Sequence, residues 1–327
     1  MSVALTEPDS PPSAEARTSE EIGATKKATE SGRFGIKLRR FAAAARYAEV
    51  LGSRLRVAHL TDLHVGLVTP MKVQLEAVAM VNRERPDVVV ITGDFVCHSH
   101  AYLEDLAEVM KAIEGPVFAV LGNHDYWAGA AGVRSALKKA NVELLTNANT
   151  IIEIRGERLQ LIGLDDAYTG HADRRRALRG MASDVATLGL SHIAEEADGL
   201  WDSGVPFVLS GHTHGGQLTV ARLHELTLGK IGGHRYVHGL YGERVAKGAV
   251  YVSAGIGAAV LPLRVGERGN REVALFELGA RPGENDEHHS EQAPLNPASD
   301  VPHEVAQARA QARFQARRKR LFRQPKV

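Results

Sequence analysis

The chain has 327 residues, 44% of them hydrophobic, and a formal net charge of +1 at pH 7. This composition is typical of a soluble protein with a sizeable core, and the near-zero net charge excludes a whole-protein field that would attract nucleic acid or a membrane. The single cysteine, Cys97, excludes an internal disulfide and favours a reducing compartment, so we expect a cytoplasmic protein. No run reaches the roughly 18 apolar residues that a membrane-spanning helix needs.

Residues 1–34 lack the basic start and apolar centre of a secretory signal, and they are predicted to be a disordered tail. From Leu55 onward, short apolar runs alternate with helix-like stretches. Buried strands are predicted in "LRVAHL", "DVVVITG" and "VFAVLG", with helices between them in "KVQLEAVAMVNRE" and "AYLEDLAEVMKAIEG". The alternation predicts a layered α/β fold.

The later part of the core is predicted to be mainly β-structure. A hairpin is expected in "TIIEIRGERLQLIGL" with Arg155-Gly156 at its turn, and further strands in "VATLGLSH", "VPFVLSGH", "AVYVSAG" and "EVALFEL". We therefore predict one domain over residues 52–279. Residues 280–327 are predicted to be a disordered linker followed by a basic tail, since apolar periodicity is lost there.

Side chains able to hold a metal ion follow several of the predicted strands. Ligands bind outside the carboxyl ends of strands in open α/β sheets, so these groups are expected to converge. Carboxylate, amide and imidazole donors suit Mn, Fe, Zn, Co or Ni, and the absence of cysteine among them argues against a thiolate zinc site. The seven candidate ligands are Asp62, His64, Asp94, Asn123, His192, His212 and His214.

Seven ligands are too many for one ordinary site. Two ions about 3.5 to 4 Å apart, sharing one bridging carboxylate, would use them, and such a pair is the arrangement that clamps a phosphoryl group. Glycines beside the candidate ligands allow tight turns and close backbone approach to an ion or substrate. They are Gly93, Gly122, Gly211, Gly215 and Gly216.

Five motifs in order, "DLH", "GDF", "GNHD", "LSH" and "GHTHGGQ", resemble the calcineurin-like metallophosphoesterase family over about residues 55–278. The resemblance implies a layered β-sandwich flanked by helices. It also implies two ions that share Asp94, one held with Asp62, His64 and His214, the other with Asn123, His192 and His212. His124 would contact the substrate phosphate and protonate the leaving oxygen, with Asp125 orienting its imidazole.

Further stretches, "GLDDAYTG", "SGHTHGGQL", "GLY" and "YVSAGIG" followed by "LPLR", resemble a bacterial subgroup of small phosphoesterases that is often membrane-anchored or cell-wall-associated. Some of its relatives cleave the pyrophosphate of UDP-2,3-diacylglucosamine. This sequence departs from that pattern in lacking an anchor, in carrying Cys97 where related sequences often have an acid, and in lacking a proline near "EVALFEL". None of these departures removes a candidate metal ligand.

We therefore predict a binuclear metal-dependent phosphoesterase that hydrolyses a phosphodiester or pyrophosphate bond by metal-activated hydroxide. A nuclease of the same fold and a metal-free binding scaffold stay open as alternatives. The expected partners are a phosphate-ester substrate and, through eight Lys or Arg residues after Glu304, an anionic membrane surface; a solvated tail and nucleic-acid binding are the other readings of that cluster.

Several other polar residues are weighed and left outside the ligand set. Asp165 and Asp166 are favoured as turn residues. Arg264 is equally suited to a phosphate contact and to a structural salt bridge, and Cys97 is expected to be a small packed residue. Four histidines are predicted not to bind metal: His171, His224, His234 and His238.

Overall fold

A computed structural model describes residues 33–42, 46–97, 99–216, 234–243, 248–258 and 269–281. The described strands are β1 (Lys37–Ala42), β2 (Leu55–Leu60), β3 (Val88–Thr92), β4 (Val117–Val120), β5 (Val142–Leu144), β6 (Ala148–Ile154), β7 (Glu157–Gly163), β8 (Ala186–Leu190), β9 (Phe207–Ser210), β10 (Gly239–Glu243), β11 (Gly248–Val252) and β12 (Glu272–Leu278). The described α-helices are α1 (Tyr47–Val50), α2 (Met71–Glu84), α3 (Leu103–Lys111), α4 (Asn123–Ala128), α5 (Ala130–Lys139), α6 (Arg174–Ala177) and α7 (Ala197–Trp201).

The strands form two six-stranded sheets. The first has the order β1-β12-β2-β3-β4-β5, and the second β10-β11-β9-β8-β7-β6. In the first sheet β2 to β5 run parallel to one another, and β12 pairs antiparallel with β2. In the second sheet β7, β8, β9 and β11 are parallel, with antiparallel strands at both edges. Each sheet therefore has a block of parallel strands whose carboxyl ends share one edge.

Strand β3 shows how the sequence builds the layers, because all five of its residues are buried. Its side chains alternate between two hydrophobic clusters. Val89 and Ile91 pack in the cluster that includes residues of α2, α3 and α5. Val88 and Val90 pack in the cluster that also holds residues of β7, β8 and β9. A continuous apolar run is thus the signature of a strand covered on both faces.

The predicted α/β sandwich flanked by helices is confirmed. The apolar runs that predicted strands coincide with β2, β3, β4, β8, β9, β11 and β12, and the hairpin turns at Arg155-Gly156 between β6 and β7. The helix predicted in "KVQLEAVAMVNRE" is α2, which buries Val73, Ala77, Met80 and Val81.

The first sheet starts before residue 52, the predicted beginning of the domain. Strand β1 pairs in parallel with β12, and its Leu38 and Phe41 are buried. The predicted start was wrong in this respect. The stretch "KLRRFA" carries three basic residues, so it does not form the apolar run by which buried strands were recognised. The other limits of the domain stay a prediction.

The terminal segments lie almost wholly outside the described residues, and so do two single residues discussed above, Arg264 and His224. The predictions for the N-terminal tail and for the basic C-terminal tail therefore stay predictions. Among the ranges that the structure describes, no helix has both the length and the apolar character needed to cross a bilayer.

Candidate metal centre

The candidate ligands lie where parallel strands end. Asp62 and His64 follow β2, Asp94 follows β3, and Asn123 opens α4 just after β4, all in the first sheet. The second sheet contributes the residues after β8 and β9, which are His192, His212 and His214. A bond across the two sheets joins them, since Nδ1 of His192 lies 2.7 Å from the carbonyl oxygen of Thr92 in β3.

The first group consists of Asp62, His64, Asp94 and His214, which offer one ligand atom each within 4.8 Å of one another. All four residues are buried. The Nε2 atoms of His64 and His214 lie 3.0 Å apart. Nε2 of His214 is 3.4 Å from Oδ1 of Asp62, and Nε2 of His64 is 3.6 Å from Oδ2 of Asp94.

The second group meets the first at Asp94. Oδ2 of Asp94 lies 3.3 Å from Nε2 of His192. Oδ1 of Asn123 lies 3.2 Å from the same nitrogen and 2.9 Å from Nδ1 of His212. The structure thus brings all seven predicted ligands into two groups that share one carboxylate, and their assignment as ligands stays a prediction.

The oxygen and nitrogen atoms of the candidate ligands are better arranged to bind a cation than to form hydrogen bonds with one another. Oδ1 of Asp62 is buried and has no hydrogen-bond partner among the residues that the structure describes, although a buried acceptor normally has one. In His192, Nδ1 faces a carbonyl and must donate, so Nε2 of the neutral ring presents a lone pair to the oxygens of Asp94 and Asn123. A divalent ion between such atoms would turn a repulsive arrangement into coordination.

The pKa values of the metal-free site show the same shortage of positive charge. Burial, together with the nearby Asp94 carboxylate, raises the pKa of Asp62 to about 7 and that of Asp125 to about 8. Burial raises the pKa of Asp94, but His192, His124 and His64 together outweigh it and hold this pKa well below its usual range. Without an ion, a proton on His192 takes the place of one, since the pKa of His192 rises to about 10 despite burial because of Asp94.

The local backbone is unusual at the candidate ligands. Five of them have positive φ angles, a conformation that non-glycine residues rarely adopt. They are Asp62 (49°), His64 (45°), Asp94 (55°), His212 (75°) and His214 (52°). Strained backbone of this kind clusters at functional sites.

Close packing of the ligand loops explains one of the predicted glycines. A Cβ added at Gly211 would collide with Oγ1 of Thr61 and Oδ2 of Asp62. Oδ2 of Asp62 instead accepts hydrogen bonds from Oγ1 of Thr61 and from the backbone N–H of His212, at 2.9 and 3.1 Å. The absence of a side chain at Gly211 therefore lets the loop after β9 approach the first sheet.

The two predicted catalytic residues follow directly after Asn123. His124 is half-buried, its ring lies 4.7 Å from that of His64, and its backbone N–H donates to Oδ1 of Asp94 at 2.8 Å. The carboxylate of Asp125 accepts four backbone N–H groups, from Asp94, Phe95, Val96 and Gly122. Asp125 thus fixes the loop that carries Asp94. None of these four hydrogen bonds joins Asp125 to the imidazole of His124. That Asp125 orients His124 therefore stays a prediction.

The residues left outside the ligand set have other partners. His171 stacks on Tyr126 at 3.8 Å, His234 lies 3.3 Å from Glu195, and His238 lies 3.1 Å from Glu272. The carboxylate of Asp166 accepts from the backbone N–H of Thr169 at 2.7 Å, which is the turn chemistry expected of it. Asp165 accepts a hydrogen bond from the hydroxyl of Tyr126 at 2.6 Å.

Three residues near the centre were missed by sequence reasoning. His59 is wholly buried in β2, and its Nε2 lies 2.8 Å from Oγ1 of Thr92, the residue whose carbonyl fixes His192. Trp127 and Tyr168 place aromatic rings against His124 and His212. A histidine inside an apolar strand was a usable signal for His59, whereas no pattern in the sequence joins Trp127 to Tyr168.

The fold and the site together define an α/β protein with a buried cluster of carboxylates and imidazoles suited to divalent ions. Residues 55–216 match the family model described as calcineurin-like phosphoesterase. Phosphodiesterase YaeI of Escherichia coli is 29% identical over 231 residues, which cover 68% of this chain and 82% of that protein. A zebrafish transmembrane protein with a metallophosphoesterase domain is 34% identical over 65% of this chain, which spans only 51% of that relative.

Among solved structures, the 5'-nucleotidase precursor of Thermus thermophilus is similar at a TM-score of 0.42 and 14% identity, covering 83% of this chain and 60% of that one. A likeness at this level carries no weight of its own, so the assignment depends on the family match and the sequence relatives. Over residues 55–216 the chain therefore resembles the calcineurin-like phosphoesterases. It is a metal-dependent phosphoester hydrolase.

Proposed function

We propose that the protein is a phosphodiesterase that uses two divalent ions to hydrolyse a phosphodiester or pyrophosphate bond. One observation carries the proposal: Oδ2 of Asp94 lies 3.6 Å from Nε2 of His64 and 3.3 Å from Nε2 of His192. A single carboxylate thus contacts both ligand groups. That is the arrangement expected of a bridging ligand between two ions.

When bound, the ions would lower the pKa of water and neutralise charge on the phosphoryl group. The chain itself supplies the positions of the reacting groups. The backbone bond from His124 to Asp94 keeps the His124 ring next to the first ligand group, on a half-buried side chain that a substrate can reach. We assign His124 to phosphate contact and to protonation of the leaving oxygen.

Protein loaded with Mn²⁺ or Zn²⁺ tests this function. The measurements are ions bound per chain and hydrolysis of bis(p-nitrophenyl) phosphate, of a UDP-linked glycolipid and of single-stranded DNA. We expect about two ions per chain and metal-dependent hydrolysis of the diester or the pyrophosphate. Absence of both bound ions and hydrolysis would support the metal-free binding scaffold instead, and preferential cleavage of DNA would support a nuclease.

The nucleotide-sugar lipid is the specific substrate that we propose. Its support is the resemblance of "GLDDAYTG" and the "LPLR" region to the subgroup in which some relatives cleave UDP-2,3-diacylglucosamine. Hydrolysis of the UDP-linked glycolipid at a rate no higher than that of simple diesters would count against it.

We also propose that the basic tail brings the enzyme to an anionic membrane surface from the cytoplasm. Each Lys or Arg near such a surface contributes on the order of 1 kcal/mol at most. Deletion of residues 303–327 should release the protein from anionic vesicles at low salt and leave hydrolysis of a soluble diester unchanged. Equal sedimentation of full-length and truncated protein would exclude this role.

A further inference from the structure

Two aromatic side chains outside the ligand set, Trp127 and Tyr168, form an aromatic corner beside the candidate centre. The Trp127 ring lies 4.7 Å from that of His124, and the Tyr168 ring lies 5.3 Å from that of His212. The two rings are 6.0 Å apart with planes at 78°. Tyr168 is 38% exposed and Trp127 is half-buried, so a ligand at the centre can reach this corner.

Local structure fixes both rings in place. Trp127 stands three residues after His124 in α4, and residues three apart lie on the same face of a helix. Tyr168 sits in a turn closed by Asp166, whose carboxylate accepts from the backbone N–H groups of Tyr168 and Thr169 at 3.3 and 2.7 Å. Asp166 itself is wholly buried. The corner is therefore preorganised, although Trp127 comes from the helix after β4 of the first sheet and Tyr168 from the turn after β7 of the second.

We propose that the aromatic corner binds a planar leaving group of the substrate, an aryl or nucleobase-bearing ester. The inference depends on the proposed phosphoesterase function and specifies its substrate class. Trp127 contacts His124, the residue assigned to protonate the leaving oxygen, so the corner lies on the leaving-group side of the phosphate.

The geometry of the corner selects a planar group over an aliphatic one. Two rings at nearly a right angle offer one face and one edge to a third ring, and aromatic groups favour offset-stacked and edge-to-face contacts. An acyl chain would need a longer apolar surface, whereas the neighbours of this corner are the imidazoles of His124 and His212. Aromatic contacts of this kind are worth roughly two- to tenfold in affinity.

Direct binding of two monoesters of similar size, phenyl phosphate and cyclohexyl phosphate, tests the proposal. Calorimetry on the ion-loaded protein measures both affinities without requiring turnover. We expect the planar ester to bind roughly two- to tenfold more tightly than the non-planar one. Trp127→Leu and Tyr168→Leu should each reduce this preference, and Tyr168→Phe, which keeps the ring, should retain it. The thermal midpoint and the metal content of each variant check that folding and ion binding are intact.

The outcomes separate this inference from the proposed function. Equal affinity for the two esters in the natural protein would overturn the aromatic corner while leaving the phosphoesterase function standing. A preference that survives both leucine variants would also overturn it. If neither ester binds the ion-loaded protein and no diester is hydrolysed, the proposed function fails, and this inference fails with it.

Discussion

The two ends of the first sheet hold their carboxylates in opposite ways. At the carboxyl end of β2 and β3, Asp62 and Asp94 are buried, and their described ion pairs are with histidines. At the other end Asp87 forms an ion pair with Arg155, whose side chain is largely exposed. Glu277 lies 3.4 Å from Arg56.

The type of counter-charge distinguishes a cluster that can bind a cation from an ordinary ion-pair network. Arginine keeps its proton at any physiological pH, so the carboxylates at the opposite end already have permanent counter-charges. Histidine can lose its proton and then offers a lone pair. A buried carboxylate that is neutralised only by histidine can therefore exchange a proton for a metal ion.

The largest effect is expected for Asp94→Asn, which removes the negative charge shared by both ligand groups. Loss of residues that merely support metal ligands typically costs 10- to 100-fold, so activity should fall by more than about a hundredfold. Metal analysis should show that the binding of both ions is weakened. A variant that retains two ions and near-normal turnover would show that Asp94 does not bridge.

His124→Asn should leave metal content intact and slow the chemistry by about 10² to 10⁴, the usual contribution of general acid catalysis. The loss should be smaller with a nitrophenyl ester than with an alkyl ester, since nitrophenolate leaves without a proton. The measurement is turnover on both esters at matched metal occupancy. An equal loss on both would count against the role of His124 as an acid.

Removing the ions should lower the thermal midpoint by roughly 5–10 °C, because ions at about 100 times their dissociation constant stabilise by about 2.7 kcal/mol. The metal-free protein should lose further stability from about pH 7 to about pH 9. In the folded state the pKa values of Asp62, Asp125 and His192 are raised to about 7, about 8 and about 10. Over this pH range the folded chain binds more protons than the unfolded chain. The free energy of unfolding therefore falls as the pH rises.

Thermal melts with and without a chelator, at both pH values, measure this effect. The ion-loaded protein is the control. Its bound ions would replace these protons, so most of the loss of stability with rising pH should disappear. A metal-free protein that is equally stable at both pH values would contradict the assigned protonation.

The smallest effect is expected at the opposite end of the sheet. Asp87→Asn removes a carboxylate charge but keeps an oxygen that can accept the backbone N–H of Arg56, which lies 2.7 Å from Oδ2 of Asp87. Exposed ion pairs contribute little to stability, so the thermal midpoint should move by no more than about 2 °C, with metal content unchanged. A larger shift or a loss of metal would show that the two ends are coupled.

Apolar runs and strand-end polar residues are local signals, and they were sufficient to predict a layered α/β fold and the meeting of the seven candidate ligands. The sandwich arrangement was implied only by the resemblance to the family. Short or weakly apolar strands such as β5 and β10 escaped notice, since "VEL" and "GLYGE" lack a long apolar run. The aromatic corner was equally invisible. Trp127 and Tyr168 meet only because β4 and β7 lie in facing layers, and tertiary packing of that kind leaves no periodicity in the sequence.

The position of β12 between β1 and β2 has a consequence for how the chain is made. The strand nearest the start of the described chain has its partner in one of the last described segments, Glu272–Leu278. During synthesis β1 therefore cannot pair with β12 until nearly the whole domain has left the ribosome. Such distant pairing slows folding and prolongs the exposure of unpaired edges. We expect β1 to pair at a late step, after β2, β3 and β4 have associated through their nearer neighbours.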